Sequence, residues 1–350
     1  MNENYYAKRH TQNLVAIVLL SSVSIFMIVL SLIMVFRFAA SSRREAELNA
    51  ELENYTAQDV YPAGRVKEIE ETARQEGRDS VLNQIRRSLE NGEGTNTMIR
   101  ALFPNNLIVA DSGRYYFFEH SNILKRHGFD ADDFGKDAQG FLHYYENGLK
   151  DAGIPGIDVS HHQGEIDWEQ VAGAGIEYAF IRVGARGAVE GQIFPDERFE
   201  DNIAGAKENG IKVGVYFYTQ AVSEAEAIEE AEYVLEMIEP YEIDYPVVYD
   251  LEQSEYATAR TKNVSKSQHT LNARAFCERI KKAGYTPMIY GNIKTFTLLL
   301  EAEDVMEYDT WIAYYNLPQY YPYEFTFWQY SSTGKVAGVE TNVDLNIQVP

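Results

Sequence analysis

The last 197 residues of the chain alternate short apolar β-type segments with amphipathic helical segments, and this alternation strongly constrains the fold. Helices are predicted at Asp196–Asn209, Ser223–Ile238 and Ser265–Ala283, each beginning with Ser or Asp, residues that cap helix N-termini. Strands that alternate with helices pair in parallel through crossover connections, and eight of them predict a closed barrel. The predicted strands are Ile157–Val159, Tyr178–Val183, Lys212–Tyr218, Pro246–Asp250, Pro287–Tyr290, Trp311–Tyr314, Phe325–Gln329 and Val343–Leu345.

The last three predicted strands lie too close together in sequence for full crossover helices. Only ten residues separate Tyr314 from Phe325, and Pro318 and Pro322 interrupt them. We therefore predict an α/β fold with an irregular TIM-like (β/α)5(β)3 barrel, in which helices follow only the first five strands. A transmembrane helix and a helical stalk are predicted to precede the barrel.

Four acidic residues lie near the ends of predicted strands. In the segment YPVVYDLE, Asp250 and Glu252 project to the same side, because side chains alternate faces along a strand. Asp158 and Asp344 belong to the first and eighth strands, which become neighbours when the barrel closes. The carboxyl ends of barrel strands hold active sites, and nearby carboxylates shift each other's pKa values. An isolated Asp-x-Glu is more simply a solvated turn, but four converging acids predict the acid and anion of glycoside cleavage.

Aromatic residues near the same strand ends are a second indication of a sugar-binding site. Sugar rings present apolar C–H faces that stack on aromatic side chains, while Tyr and Trp keep a polar group for hydroxyls. Core packing is the alternative for some of them, because alternation turns part of the set toward the helices. Tyr216 and Tyr330 belong to this group of aromatic residues. The predicted substrate-binding residues are Tyr218, Tyr290, Trp311, Tyr315, Trp328, Gln329 and Arg182.

The charge distribution excludes some partners. The formal net charge is -22, and from Ile154 onward 32 acidic residues face 14 basic ones. Nucleic acid and anionic lipid are therefore unfavourable partners for this region, whereas a neutral glycan carries no such penalty. A simple solubility role also explains the acidity. Cys277 is the single cysteine, so no intrachain disulfide forms, and no His and Cys cluster has the spacing of a metal site.

The N-terminal region contains an apolar segment long enough to cross a membrane. Leu14–Phe36 is a run of 23 residues without a charge, which suffices for a helix across a hydrocarbon core of ~30 Å. It is longer than the apolar part of a cleavable signal, although cleavage after Ala40 is the alternative. We predict an uncleaved single-pass anchor that follows a cytoplasmic tail at residues 1–13. Basic residues flank both sides, so charge does not decide the orientation.

Residues 37–100 are predicted to be a charged helical stalk, and residues 101–153 a small accessory segment. Apolar residues in the stalk approximate helical spacing, which allows self-association but also fits a solvated spacer helix. The sequence NGEGTN at residues 91–96 predicts a break, and LIVADSGRYYFFEH predicts a strand or hairpin that packs against the main domain. The spaced apolar residues are Val66, Ile69, Ala73, Val81, Ile85 and Leu89.

Several segments of residues 154–350 occur in the order found in a known family. Together they resemble the family 25 glycoside hydrolases, lysozymes of the Chalaropsis type. Residues 1–153 are outside the resemblance. At Arg182–Gly187 the chain departs from the Lys-Ala-Thr-Glu-Gly of many members. The matching segments are GIDVSHHQGEIDW, FIRVG, DERFEDNIAGAKENGIKVGVYFY, YPVVYDLE, MIYGN, WIAYY, FWQYSSTGKVAGV and NVDLN.

The resemblance implies an enzyme without metal or cofactor that hydrolyses the β-1,4 bond between N-acetylmuramic acid and N-acetylglucosamine in peptidoglycan glycan strands. The family's Asp-x-Glu falls on Asp250 and Glu252, and its other two acids fall on Asp158 and Asp344. Glu252 is the expected general acid. Asp250 either stays ionised to stabilise positive charge on the sugar or orients the substrate's acetamido group, and both inverting and retaining outcomes are open.

A substrate outside the cell places the N-terminus in the cytoplasm and residues 154–350 outside the cell membrane. The alternative functions are a catalytically silent cell-wall-binding protein of the same fold and a structural envelope protein. The presence of all four acids argues against a silent protein.

Overall fold

The computed structural model describes residues 3–58, 63–146, 148, 150–254 and 256–350. They form two compact units, one up to Gly92 and one from Glu93 onward. The first unit consists of helices α1 (Glu3–Gln58) and α2 (Ala63–Glu90).

Helix α1 contains a stretch that is long and apolar enough to cross a membrane. Among the described residues this stretch is Ile25–Ala50, and its large apolar side chains are exposed. It overlaps the second half of the predicted span Leu14–Phe36. The side chains of residues 14–20, 23 and 24 of that span lie outside the described residues. The apolar helix itself is thus confirmed, and anchoring stays a prediction.

Helix α2 matches the helical part of the predicted stalk. Val66, Ile69, Val81 and Leu89 are exposed along it, and an Asn91–Gly92 turn follows it where a break is predicted. The residues 66, 69 and 73 and the residues 82, 85 and 89 each follow a 3-4 spacing, but the two sets are out of heptad phase with each other. Self-association through α2 stays a prediction.

The second unit begins with helix α3 and five strands in two small antiparallel sheets. The first sheet is the hairpin β1–β2, which confirms the predicted hairpin, and the second is β3–β4–β5. Their bounds are α3 (Thr95–Leu102), β1 (Asn106–Asp111), β2 (Arg114–Glu119), β3 (Phe134–Lys136), β4 (Leu142–Glu146) and β5 (Lys150–Asp151).

An eight-stranded closed barrel with one added hairpin strand forms the rest of the unit, which confirms the predicted α/β barrel. The strands are β6 (Ile154–Val159), β7 (Tyr178–Arg186), β8 (Ile193–Pro195), β9 (Lys212–Tyr218), β10 (Val247–Asp250), β11 (Pro287–Asn292), β12 (Asp309–Ala313), β13 (Phe327–Gly334) and β14 (Val343–Gln348). The helices are α4 (Trp168–Gly173), α5 (Phe199–Glu208), α6 (Glu224–Ile238) and α7 (Lys266–Lys282).

The connections follow the predicted pattern with two differences. Helices α4 to α7 follow the barrel strands β6, β7, β9 and β10, whereas β11 is followed by two short helical segments, the π-helix Thr295–Leu299 and the 3-10 helix Ala302–Asp304. The barrel strands β6, β7 and β9 to β13 pair in parallel with their barrel neighbours, and the added strand β8 pairs antiparallel with β7. Strand β14 pairs antiparallel with both β13 and β6. A short connection from β13 to β14 leaves no room for a crossover, so the last strand returns in the opposite direction.

Side chains along each barrel strand alternate between the barrel interior and its outer face. On β10, Val248 lies in the interior cluster, whereas Tyr249 points outward and packs against Phe276 of α7 at 5.1 Å. On β13, Phe327 points inward and Trp328 outward. Cys277 is buried among the outward-facing apolar residues, as predicted.

The segment before the barrel covers the flank that the missing helices leave open. The ring of Phe134 on β3 packs edge-on against Trp328 with 5.2 Å between centroids, and Phe129 lies 5.5 Å from Phe325. Strand β4 packs against β6 and β14, and its residues Leu142 and Tyr144 join the same buried cluster. Residues 93–153 therefore replace helices as the outer layer of β13, β14 and β6.

We expect Trp328→Phe to lower the free energy of unfolding by roughly 1–3 kcal/mol, since it shrinks a fully buried side chain and removes an indole N–H donor. Chemical denaturation measures this effect. The control Tyr256→Phe alters an exposed ring and should change stability by less than ~0.5 kcal/mol. Equal effects of the two substitutions would contradict the proposed packing.

Candidate active site

The carboxyl ends of the parallel strands surround a cavity of about 400 Å³. All four predicted acids line this cavity together with six of the seven predicted substrate-binding residues. The lining residues are Asp158, His162, Arg182, Tyr216, Tyr218, Asp250, Glu252, Tyr290, Trp311, Tyr315, Gln329 and Asp344.

The strand register brings these side chains to one level of the barrel. Asp250, the last residue of β10, is opposite Tyr218 on β9 and Tyr290 on β11, and Tyr290 is in turn opposite Trp311 on β12. Glu252 follows two residues beyond the end of β10. The interior alternation of β10 thus continues into the loop, and Asp250 and Glu252 reach the same cavity, as the sequence predicts.

Asp158 and Asp344 are directly opposite each other on β6 and β14. Their proximity is confirmed, but the strand direction differs from the one expected for an eighth parallel strand. Because β14 runs antiparallel, Asp344 stands near the beginning of its strand and still lies at the carboxyl ends of the others.

A hydrogen-bond network holds Asp158. The Trp311 Nε1–H donates to Asn346 Oδ1 at 2.9 Å, which leaves Asn346 Nδ2 to donate to Asp158 Oδ2 at 2.7 Å. Gln329 Nε2 donates to the same Asp158 oxygen at 2.9 Å. The hydroxyls of Tyr290 and Tyr315 both donate to Gln329 Oε1, which fixes the orientation of that amide. Two amide donors on one oxygen stabilise the ionised form of Asp158.

The four carboxyls have raised pKa values. Burial raises the pKa of Asp158 to about 6, opposed by the two amide donors. Burial, with the charges of Asp158 and Glu252, raises the pKa of Asp344 to about 8. Burial and Asp158 also raise the pKa of Glu252. The two amide donors favour the ionised form of Asp158, and its charge raises the pKa of its neighbours Asp250, Glu252 and Asp344.

Asp250 is buried at the wall of the cavity. Its pKa is raised well above the usual value by burial and by Glu252 and Asp158, while Arg182 acts in the opposite direction. Its Oδ1 is buried and has no hydrogen-bond partner among the described residues. A buried carboxyl oxygen without a partner is costly, so this atom is available to a polar group of a bound molecule.

Arg182 is fixed at the cavity wall by Asp196. Arg182 Nε donates to Asp196 Oδ2 at 2.8 Å, and the backbone N–H of His161 donates to the same oxygen at 3.1 Å. His162 also lines the cavity, and burial followed by Arg182 lowers its pKa. The sequence reasoning missed His162 as a site residue, although the SHHQ segment that follows the first strand was a signal.

The seventh predicted substrate-binding residue lies outside the cavity. Trp328 does not line the cavity, because it points to the outer face of β13, where its indole donates to the carbonyl of Tyr314 at 2.6 Å. In Arg182–Gly187, the segment that differs from many family members, Arg186 does not line the cavity, and its Nε donates to the buried Glu230 at 2.6 Å. Within the described residues, no group of three or more His, Cys, Asp or Glu side chains could hold a metal ion.

Comparison with known proteins agrees with this geometry. The profile of the family "Glycosyl hydrolases family 25" matches residues 157–339. YegX, an uncharacterized protein of Escherichia coli O6:H1, is 32% identical over 202 residues, which are 55% of this chain and 69% of YegX. Lysozyme M1 of Streptomyces globisporus is 30% identical over 206 residues, which are 56% of this chain and 67% of the lysozyme.

Among solved structures, the modular autolysin LytC of Streptococcus pneumoniae has a TM-score of 0.52 and 23% identity to this chain. The likeness covers 69% of this chain and 58% of LytC, and at this identity it shows a shared fold. The family profile covers more than half of the chain and includes Asp158, Asp250 and Glu252. The chain therefore belongs to family 25 of the glycosyl hydrolases and is a glycoside hydrolase.

Proposed function

We propose that the protein is a membrane-anchored lysozyme that hydrolyses the β-1,4 bond between N-acetylmuramic acid and N-acetylglucosamine in bacterial peptidoglycan. The observation that carries this proposal is the convergence of Asp158, Asp250, Glu252 and Asp344 on one cavity with aromatic walls. Such a cavity combines proton donors with surfaces for sugar rings. The named lysozyme relative and the structure of LytC with a synthetic peptidoglycan ligand support the substrate class.

In this proposal Glu252 is the general acid that protonates the glycosidic oxygen as the bond breaks. Its pKa is raised, so the carboxyl carries a proton at a higher pH than an ordinary glutamate. Asp158 assists by carrying negative charge near Glu252, which favours the protonated form of Glu252. Two amide hydrogen bonds to its Oδ2 stabilise this charge on Asp158.

Asp250 is proposed to hold the substrate's acetamido group. Its unpaired Oδ1 can accept the amide N–H, which positions the acetamido oxygen beside the sugar carbon that develops positive charge. The negative charge of Asp158 then helps to stabilise the positive charge that develops on the sugar in the transition state. Asp344 is proposed to orient water or substrate opposite Asp158.

The membrane anchor is proposed from α1. A helix with exposed Ile, Phe, Met, Val and Leu side chains is unfavourable in water and stable in a hydrocarbon core. The polymer that the enzyme cleaves lies outside the cytoplasmic membrane, which places the N-terminus inside and the catalytic unit outside.

Replacing the proposed acid should abolish activity. We expect Glu252→Gln to lower kcat by about 10²–10⁴, since the amide cannot protonate the leaving oxygen. The measurement is release of reducing ends from purified peptidoglycan, with the exposed Glu340→Gln as the matched control. A loss below about tenfold, roughly 1.4 kcal/mol in the barrier, would reject the role of Glu252. Wild-type binding to peptidoglycan without turnover would instead indicate a catalytically silent wall-binding protein.

Removing one acid should stabilise the fold. Asp344 has its ordinary pKa of 3.8 in the unfolded chain and a pKa of about 8 in the folded protein. Between these two pH values the folded protein keeps a proton that the unfolded chain has lost, so the free energy of unfolding falls as pH rises. Asp344→Asn removes this loss of stability. We expect its free energy of unfolding to exceed that of the wild type by on the order of 1–3 kcal/mol at about pH 8.5 and by little at about pH 4. A gain that does not increase with pH contradicts the raised pKa of Asp344.

Disruption of the anchor should release the protein from membranes. The full chain should sediment with membranes, resist high salt and dissolve in detergent. Ile28→Arg combined with Leu32→Arg should move most of it to the soluble fraction, because each Arg costs about 2.5–3.5 kcal/mol at the helix centre. The matched control places the same charges at Ile69 and Val81 in α2 and should remain membrane-bound. Equal fractionation of both variants would argue against insertion of α1.

A further inference from the structure

Two phenylalanines form an exposed aromatic pair on the segment that precedes the barrel. Phe103, directly after α3, and Phe117 on β2 are 44% and 47% exposed. Their rings meet edge to face with 4.8 Å between centroids. Large aromatic side chains that are exposed together, rather than singly, commonly mark a binding surface. We call this pair the aromatic platform.

Arg100 ties α3 to the loop that follows β12 at the carboxyl end of the barrel. Its guanidinium lies 3.4 Å from the ring centroid of Tyr320 and donates to the Tyr314 hydroxyl at 3.1 Å. Tyr314 immediately precedes Tyr315, which lines the cavity and donates to Gln329. Phe103 is the C-cap residue of α3, and its backbone N–H donates to the carbonyl of Arg100 at 3.3 Å. One half of the platform is therefore close to the loop that carries Tyr315.

The hairpin is tied to the same loop. The backbone N–H of Ile108 on β1 donates to the Tyr320 hydroxyl at 2.8 Å, so the outer edge of β1 faces the loop between β12 and β13. Ile108 is opposite Phe117 in the hairpin register. Adjacent strands are about 4.8 Å apart, so Phe117 lies one strand further from the loop than Ile108.

A third tie fixes the hairpin to the carboxyl end of β11. Lys294 Nζ pairs with Asp111 at 2.7 Å, and Lys294 follows β11 by two residues. This pair and the contacts of Arg100 and Ile108 attach α3 and the hairpin to the segments that follow β11 and β12, at the carboxyl end of the barrel where the cavity lies. Positioned aromatic rings bind a ligand with less loss of conformational entropy than mobile ones.

We propose that the aromatic platform binds sugar residues of the glycan strand that extend beyond those held in the cavity. This inference rests on the proposed function, because it takes peptidoglycan as the substrate. Phe rings stack on the apolar C–H faces of sugars without a requirement for sequence or charge. The net charge of -22 disfavours an anionic lipid surface as the occupant, whereas a neutral glycan backbone carries no such penalty.

The test uses the detergent-solubilised full chain with Phe103→Ala and Phe117→Ala combined. Reducing-end release is measured on long glycan strands and on a soluble peptidoglycan tetrasaccharide. We expect the apparent KM for long strands to rise by roughly fivefold to tenfold with kcat unchanged, because only long strands reach the platform. Both parameters for the tetrasaccharide should stay at the wild-type values.

Two further variants complete the test. Phe103→Tyr with Phe117→Tyr keeps both rings and should have the wild-type KM for long strands. Leu271→Ala, at a 42% exposed position on α7, should leave KM and kcat unchanged for both substrates. An unchanged KM for long strands in the alanine variant, or an equal loss on both substrates, overturns the platform alone. A wild-type protein that is inactive on both substrates contradicts the proposed function, and the platform falls with it.

Discussion

The alternation of side chains along the barrel strands determines what each part of the catalytic unit does. Inward positions fill the barrel and, at the carboxyl ends of the parallel strands, supply Asp158 and Asp250 to the cavity. Outward positions supply the apolar layer beneath the helices. A shift of one residue on any strand would exchange these roles, so the register couples stability to the site.

The site holds four carboxyls close together, and one of them, Asp158, has hydrogen-bond donors that stabilise its charge. Asp158 accepts hydrogen bonds from Asn346 and Gln329, and those amides are themselves oriented by Trp311 and by tyrosine hydroxyls. These partners favour charge on Asp158, and that charge disfavours ionisation of the other acids. The polar network and the acid cluster therefore act together, and the aromatic residues contribute hydrogen bonds as well as surfaces for sugars.

Much of this was predictable from the sequence, because strand periodicity and connection length are local properties. The eight strands, the helices capped by Ser223 and Ser265 and the convergence of the acids follow from them. The helix predicted from Asp196 instead begins at Phe199 without a side-chain cap. The outward orientation of Trp328 was not predictable, because it depends on the exact register of β13. It also depends on Phe134, far earlier in the chain, which packs over the Trp328 ring. The reversed direction of β14 was also missed, although the short connection from β13 leaves no room for the crossover that a parallel strand needs. His162 was overlooked because the adjacent pair His161 and His162 lies outside the periodic strands and helices, and the sequence does not show which of the two lines the cavity.

The cover that residues 93–153 provide for the barrel flank gives the family match and the folding unit different boundaries. The family profile begins at residue 157, yet Trp328, Leu345 and Ile347 are buried within one cluster with Leu142 and Tyr144. A polypeptide that begins at residue 157 would lack this cover, and the apolar side chains on the outer face of β13 and β14 would be exposed to water and promote aggregation. Evolutionary exchange of the hydrolase between architectures would thus have to carry its upstream neighbour along or find a substitute for it.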